Sequence, residues 1–218
     1  MEDFLFPVFP LNVVLLPEEP LPLHIFEERY KQMINECLEA KISRPEEQEF
    51  GVVLVDGEKL QKVGCSAHII EVTQKYADGR MDILTEGRRR FEILYTNEER
   101  AYLRCGVDFF GDDGGLDTPH EPEALCALEL FHQVLQRLRK SSEPVIPAAP
   151  PYRHLSFRIA GSMPIDVKLK QELLVMRQEA QRLEKVTDWL QQIIKQIEFS
   201  EKHRTKVRGN GNALHHIH

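Results

Sequence analysis

The sequence lacks any long apolar segment. No uninterrupted hydrophobic run approaches the ~20 residues that a helix needs to cross a bilayer, so we expect no membrane-spanning helix. The first residues, Met1-Glu2-Asp3-Phe4, are acidic where a secretory signal would be basic. Export is therefore not expected, and the sequence favours a cytoplasmic protein.

Cysteine is scarce, and its spacing fits neither a metal site nor a disulfide framework. The four cysteines, Cys37, Cys65, Cys105 and Cys126, include no Cys-x-x-Cys pair. Such wide and irregular spacing is unlike a zinc site or the disulfides of a small secreted protein. We therefore expect reduced, mostly buried thiols, with no metal and no cofactor.

The motifs of several catalytic mechanisms are also missing. The sequence contains no Gly-x-x-x-x-Gly-Lys-Ser/Thr, no Gly-x-Gly-x-x-Gly, no His-Glu-x-x-His and no Gly-x-Ser-x-Gly. These absences argue against ATP hydrolysis and zinc proteolysis. They argue less against acid–base catalysis, which needs only two carboxylates that meet in the fold. No residue is singled out as catalytic.

Positive charge is scarce in the first half of the chain. Residues 1–115 hold 13 Lys and Arg against 23 Asp and Glu, whereas residues 116–218 hold 15 against 12. An acidic surface is a poor electrostatic match for a phosphate backbone. Nucleic acid is therefore not expected to be the main ligand.

Residues 1–115 read as a β-rich domain with one helix near 27–40. Five prolines between 7 and 22 favour an extended backbone. Turns are predicted at Asp78-Gly79, a hairpin signal, and at Glu86-Gly87. Short turns between about six strands indicate a small closed or partly closed sheet. After the proline-rich lead-in, the strands are predicted at 50–55, 63–73, 81–84, 90–95 and 102–110.

Residues 116–200 read as a helical subdomain. A helix is predicted over 123–140, a proline-rich linker over 141–151, and a short helix over 152–160. From Leu169 to Ile197 apolar residues recur at heptad spacing.

That last stretch is either one long helix or two helices with a break near Met176–Gln178. Its seam is expected mainly to pack within the chain, and a partner helix or a homodimer through this C-terminal helix stays open. Residues 201–218 are expected to be a disordered tail.

Two polar features are potential contact sites. The run Arg88-Arg89-Arg90 could contact an anion, but neighbouring strand residues face opposite sides, so at most two of the three share a face. A salt-bridged, solvated face is the simpler interpretation. His24 lies in an apolar run and is expected to be a structural histidine.

Several segments stand out by their residues, order and spacing. They are Phe9-Pro10-Leu11-Asn12-Val13-Val14-Leu15-Leu16-Pro17, Leu21-Pro22-Leu23-His24-Ile25-Phe26-Glu27-Glu28-Arg29-Tyr30, Phe50-Gly51-Val52-Val53-Leu54, Val63-Gly64-Cys65-Ser66-Ala67, Asp78-Gly79-Arg80-Met81-Asp82-Ile83 and Glu86-Gly87-Arg88-Arg89-Arg90-Phe91. Together they resemble the N-terminal substrate-binding domain of Lon proteases. The resemblance covers about residues 4–200.

The resemblance implies an α+β fold, a PUA-like β pseudobarrel of six strands followed by a C-terminal helical bundle. It also implies recognition of polypeptides or partner proteins. In full-length Lon proteases an ATPase module and a Ser-Lys protease domain follow, and no such sequence is present here. We therefore expect a non-enzymatic, stand-alone Lon-domain protein or a piece of a longer protein. The family supplies no active-site residues to carry over.

The candidate binding residues are Leu21, Leu23, Ile25 and Phe26. They cluster beside prolines, and a stiff apolar segment loses little entropy when it docks on a protein or an unfolded polypeptide. Alternatively, these side chains merely cap the sheet. Two other functions stay open: a PUA-like nucleic-acid-binding protein, and a small-molecule-binding enzyme. A deep pocket with two buried carboxylates would favour the enzyme.

Overall fold

The computed structural model describes residues 5–40, 49–138 and 150–211. Seven strands and five helices follow one another in these segments. The strands are β1 (Phe6–Leu11), β2 (Pro20–Ile25), β3 (Glu49–Asp56), β4 (Lys59–Leu60), β5 (Val63–Lys75), β6 (Met81–Asn97) and β7 (Arg104–Phe110). The helices are α1 (Glu28–Ala40), α2 (Glu121–Arg137), α3 (Leu155–Gly161), α4 (Val167–Val175) and α5 (Glu179–Gly211).

The strands form one mostly antiparallel sheet, and its pairings return to their starting point. β1 pairs parallel with β3 and antiparallel with β7. β7 pairs with β6, β6 with β5, and β5 with β3, all antiparallel. β4 pairs with β3, and β2 pairs with the first part of β6. The fold is therefore α+β, as expected, with one more strand than the six predicted.

A small aromatic core lies between the strands of this sheet. Phe6, Val8, Phe91 and Cys105 are buried there, and the rings of Phe6 and Phe91 meet edge to face with centroids 5.5 Å apart. A side chain at Gly51 would place its Cβ 2.5 Å from the Phe91 ring. Close packing of the ring therefore requires glycine at this position of β3.

A second, larger core joins the sheet to the helices. Met33 of α1, Ile83 of β6, Phe131 of α2, Leu155 of α3 and Leu190 of α5 all belong to it and are at most 1% exposed. Full burial of such a side chain contributes ~1.5–3 kcal/mol. The sheet and the helices are therefore stabilised by the same set of hydrophobic contacts.

Gly87 is not at a turn, contrary to the prediction, because β6 runs through it without interruption. A Cβ at this glycine would lie 2.1 Å from the carbonyl oxygen of Leu16. The Gly87 N–H donates to the carbonyl of Glu19 at 2.9 Å, and its own carbonyl accepts from the Glu18 N–H at 2.8 Å. Glycine is therefore needed so that the segment before β2 can lie against the backbone of β6.

The hairpin predicted at Asp78-Gly79 is confirmed. Gly79 has a φ of +82°, a conformation that favours glycine, and its N–H donates to the carbonyl of Tyr76 at 3.0 Å. β2 was foreseen only as extended chain. Among the described residues it pairs with β6 alone, and it contains Pro20 and Pro22, which is typical of an edge strand.

Of the two interpretations left open for the last helical stretch, the structure shows the one with a break near Met176–Gln178, because α4 ends at Val175 and α5 begins at Glu179. Seam residues Leu183 and Leu190 are buried within the chain, where α5 packs against α2 and α3. None of the described helices is long and apolar enough to cross a membrane.

The predicted end of the last helix was wrong. α5 continues to Gly211, so residues 201–211 are helical and not disordered, and residues 212–218 lie outside the described residues. The linker predicted over 141–151 also lies mostly outside them.

Candidate functional site

Three of the four candidate residues lie on β2 and face the core. Leu21, Leu23 and Ile25 alternate along the strand and lie opposite Thr85, Ile83 and Met81 of β6. Leu21 and Leu23 are half-buried against the larger core, and Ile25 is 1% exposed. These side chains therefore help to attach β2 to the protein.

The fourth candidate, Phe26, lies at the surface. Its side chain is 59% exposed. The ring of Phe26 stacks on that of His24 with centroids 5.9 Å apart, and His24 meets the ring of Tyr76 edge-on at 6.0 Å. We call His24, Phe26 and Tyr76 the β2 aromatic surface.

Asp82 holds two of these rings in place. Its Oδ1 lies 2.5 Å from Nδ1 of His24, and its Oδ2 accepts a hydrogen bond from the Tyr76 hydroxyl at 2.7 Å. The hydrogen bonds from His24 and then Tyr76 lower the pKa of Asp82, whereas the bond to Asp82 raises the pKa of Tyr76. Two aromatic rings are thus oriented before any ligand arrives.

Sequence reasoning did not connect these residues. His24 was expected to be a structural histidine, and its ring does have a partner, but the side chain is 45% exposed. Tyr76 and Asp82 were not singled out. The available signal was the Asp78-Gly79 hairpin, because a tight turn brings residues on its two sides together.

A buried ionic cluster joins the sheet to the helices. The guanidinium of Arg182 lies 2.5 Å from Oδ1 of Asp112 and 2.6 Å from Oε2 of Glu179. Arg90 of β6 lies 2.5 Å from the same Asp112 carboxylate. Ser156 of α3 donates its N–H and its hydroxyl to Glu179, both at 2.8 Å. These five side chains are at most 3% exposed.

The cluster explains where α4 ends. The carbonyl of Met176 accepts a hydrogen bond from Arg182 at 2.9 Å and another from Arg90, which also donates to the carbonyl of Leu174 at 3.3 Å. These carbonyls belong to the last turn of α4 and the break after it. The two arginines thus satisfy backbone acceptors that a helix end leaves without an intrahelical donor.

The two carboxylates of the cluster differ in how burial and their partners shift the pKa. Burial opposes ionisation of Asp112, but the hydrogen bond and charge of Arg182, with the charge of Arg90, outweigh it and lower the pKa of Asp112. Burial raises the pKa of Glu179. Both carboxylates are buried and accept hydrogen bonds from arginine or serine donors.

The thiols offer little nucleophilic chemistry. Cys37, Cys65 and Cys105 are buried, as expected, and Cys126 is exposed. Burial raises the pKa of Cys37 to about 12 and that of Cys105 to about 11, and it also raises the pKa of Cys65. Because the thiolate is the nucleophile, these three are protonated and unreactive near neutral pH. Within the described residues, no group of three or more His, Cys, Asp and Glu could hold a metal.

Comparison with known proteins gives the family. A family model described as the ATP-dependent protease La (LON) substrate-binding domain matches residues 6–192. The chain belongs to the Lon substrate-binding domain family. This confirms the resemblance found in the sequence.

Relatives of this Lon domain include whole proteases. It is 26% identical to Lon protease 2 of Herpetosiphon aurantiacus over 208 residues, which are 93% of this chain and 25% of that protein. It is 26% identical to Lon protease of Rhizobium meliloti over 216 residues, 95% of this chain and 26% of the relative. The chain thus spans about a quarter of the length of these relatives.

Solved Lon domains share the fold. A Lon N-terminal domain protein from Xanthomonas campestris aligns with a TM-score of 0.64 and 22% identity, covering 85% of this chain and 98% of that one. The N-terminal domain of the Mycobacterium avium complex Lon protease aligns with a TM-score of 0.59 and 18% identity, covering 86% and 98%.

Proposed function

We propose that this Lon domain binds polypeptides without transforming them, and that the β2 aromatic surface contacts their apolar side chains. The observation behind this proposal is the exposed Phe26 ring, stacked on a histidine that Asp82 holds in place. The family supports it, because the matching family model describes a substrate-binding domain.

The apolar area of these rings and their fixed orientation both favour binding at the β2 aromatic surface. Half-buried or exposed aromatic rings present large apolar surfaces, and such rings are enriched where proteins bind one another. The rings of His24 and Tyr76 are already fixed through Asp82, so little side-chain entropy remains to be lost on binding. Leu21, Leu23 and Ile25 support the surface from within, because they attach β2 to the core.

Several finer points belong to the same proposal. We propose that the ring of strand pairings is a PUA-like pseudobarrel formed by residues 1–115 and that residues 116–200 form a separate helical subdomain. We also propose that α5 offers a homodimer contact. Three buried thiols with raised pKa values are consistent with a reducing compartment such as the cytoplasm.

The test is a binding titration. A fluorescein-labelled, reduced and carboxymethylated lactalbumin serves as an unfolded polypeptide, and fluorescence anisotropy reports its binding to the wild type and to Phe26→Ser. Removing the ring is expected to weaken binding about 5- to 30-fold, which corresponds to a loss of ~1–2 kcal/mol from a partly buried aromatic side chain.

Phe199→Ser is the matched control, because Phe199 on α5 is a phenylalanine with 64% exposure that also lies against a histidine ring. Circular dichroism must show that both variants are folded. Equal binding by the wild type and Phe26→Ser would refute a role for this surface. Retention of RNA on filters at micromolar protein would instead favour the nucleic-acid alternative.

A further inference from the structure

We propose that a second site on this domain, separate from the β2 aromatic surface, binds a carboxylate that is attached to an apolar group of a polypeptide. The site is an open cavity of about 340 Å³ between the sheet and α3. It is lined by arginine, histidine and aromatic side chains. We call it the arginine cavity; among the residues that line it are Arg88, Arg89, Phe109, Phe110, His154 and Phe157.

A β-bulge creates the basic side of the cavity. Cys65 pairs with Arg90 and Ala67 pairs with Gly87, so both Arg88 and Arg89 lie opposite the single residue between them on β5. That residue is Ser66, whose hydroxyl accepts the Arg89 N–H at 3.0 Å.

The bulge breaks the strict alternation that was assumed for this run. The side chains of the neighbours Arg88 and Arg89 are therefore both about half exposed, at 48% and 49%, whereas that of Arg90 is 3% exposed. β-Bulges commonly re-aim side chains in this way beside functional sites.

The charged side chains around the cavity favour the binding of one negatively charged group. Arg90 is paired with Asp112, and His154 lies 3.1 Å from Oε1 of Glu18. Arg88 and Arg89 share one carboxylate, that of Glu49, at 4.0 and 3.0 Å. Between them, Arg88 and Arg89 therefore carry one positive charge that Glu49 does not compensate. A monoanion such as a carboxylate matches that charge better than a phosphate does.

The rest of the cavity favours an apolar neighbour for that carboxylate. The guanidinium of Arg89 lies 4.0 Å from the centre of the Phe109 ring, and Phe157 forms part of the wall. No acidic side chain belongs to the lining found within the described residues. The volume is near the lower end of the ~300–1,000 Å³ of ligand pockets, which suits a short terminal group or a single side chain.

The carboxylate could come from a chain end or from an acidic side chain, and three peptides distinguish these two sources. One is a fluorescent hexapeptide ending in Ala-Phe with a free carboxylate, and its partner is the same peptide amidated at the C-terminus. A third peptide, amidated, carries an internal Glu-Phe pair. Binding of the first alone assigns the site to chain ends, and binding of the third assigns it to acidic side chains. Equal binding of the amidated Ala-Phe peptide and the free acid would overturn the proposal.

Protein variants test the residues. A double variant that carries Arg88→Gln and Arg89→Gln is expected to bind the carboxylate peptide about tenfold more weakly, or weaker still. The reason is that the hydrogen bonds from the two guanidinium groups to the carboxylate are lost. Glu49→Gln is expected to strengthen it, because both arginines are then uncompensated. Arg29→Gln removes another exposed, paired arginine and should change nothing.

If the double arginine variant fails to fold, Glu49→Gln still tests the proposal. Unchanged or weaker peptide binding by Glu49→Gln would count against the proposal. Inorganic phosphate is the competing anion. Displacement of the peptide by phosphate at lower concentration than by acetate would overturn the choice of a carboxylate. Phe26→Ser should leave binding of the carboxylate peptide intact, so failure here and failure of the proposed function are separate results.

Discussion

Arg182 of α5 donates to both oxygens of the Asp112 carboxylate, which belongs to the segment after β7, at 2.5 and 2.6 Å. The bidentate pair is completely buried. Arg90 of β6 donates to the same carboxylate at 2.5 Å. One acidic side chain thus connects the sheet to the longest helix.

Replacing that carboxylate should strongly destabilise the domain. Asp112→Asn leaves Arg90 and Arg182 buried without their shared anion, and breaking a buried pair in this way costs about 3–5 kcal/mol. Urea unfolding monitored by circular dichroism measures the change. Asp188→Asn on the exposed face of α5 is the control, with an expected effect within about 0.5 kcal/mol. Similar stability of the two variants would show that the cluster does not hold the sheet and helices together.

The Asp112 carboxylate should also make the stability of the folded domain depend on pH. The pKa of Asp112 is lowered in the folded protein. Its contribution to the free energy of unfolding is therefore fully present above the unfolded-state pKa of about 3.9. It is lost as the pH falls through the lower folded-state pKa. Glu179 acts with the opposite sign, because its pKa is raised and its contribution falls as the pH rises.

The difference between wild type and Asp112→Asn isolates the Asp112 contribution. Melting temperatures of both proteins between pH 7 and pH 2 should converge as the pH falls. A gap that stayed constant down to the lowest pH would show that the pKa of Asp112 is not lowered on folding.

Gly87→Ala tests the close approach of two backbone segments. The new methyl group would meet the Leu16 carbonyl at 2.1 Å, and because backbone has little freedom to move aside we expect a loss of about 1–3 kcal/mol. Gly111→Ala is the control, since nothing lies within 4 Å of a Cβ there. A Gly87→Ala variant as stable as the wild type in thermal unfolding would contradict the contact.

Thiol reactivity should distinguish Cys126 from the other three cysteines. Cys126 is exposed, whereas Cys37, Cys65 and Cys105 are buried with raised pKa values. Ellman's reagent at pH 8 should therefore modify one thiol per native chain and four in guanidinium. Cys126→Ser should abolish the native reaction. Rapid reaction of a second thiol in the native protein would mean that the core is more open than described.

Features set by local chemistry could be predicted from the sequence. The Asp78-Gly79 hairpin was found because a tight turn needs a positive φ at glycine. The apolar face of α1, with Met33 and Ile34, follows helical spacing. The break before Glu179 was visible only as an option, because both interpretations keep the same heptad pattern.

Features set by distant contacts could not be predicted. Gly87 looked like a turn because the reason for glycine there is the backbone at Leu16. Leu21 and Leu23 were predicted only to lie in an extended, proline-rich segment, and only the packing of the core decides which face of that segment is inside. The shared role of Asp112 and Arg182 joins residues that are 70 positions apart, and no local pattern marks such a pair.

Pro20 and Pro22 limit the ways in which another chain can pair with the edge of the sheet at β2. Proline is accommodated in an edge strand with its nitrogen towards the open side, so the free margin of β2 is short of N–H donors. An extended polypeptide therefore lacks the N–H donors it would need to pair with this edge as an additional strand. Such edge-to-edge pairing is a common first step in aggregation. Under the proposed function, a bound polypeptide would therefore contact this surface mainly through its side chains.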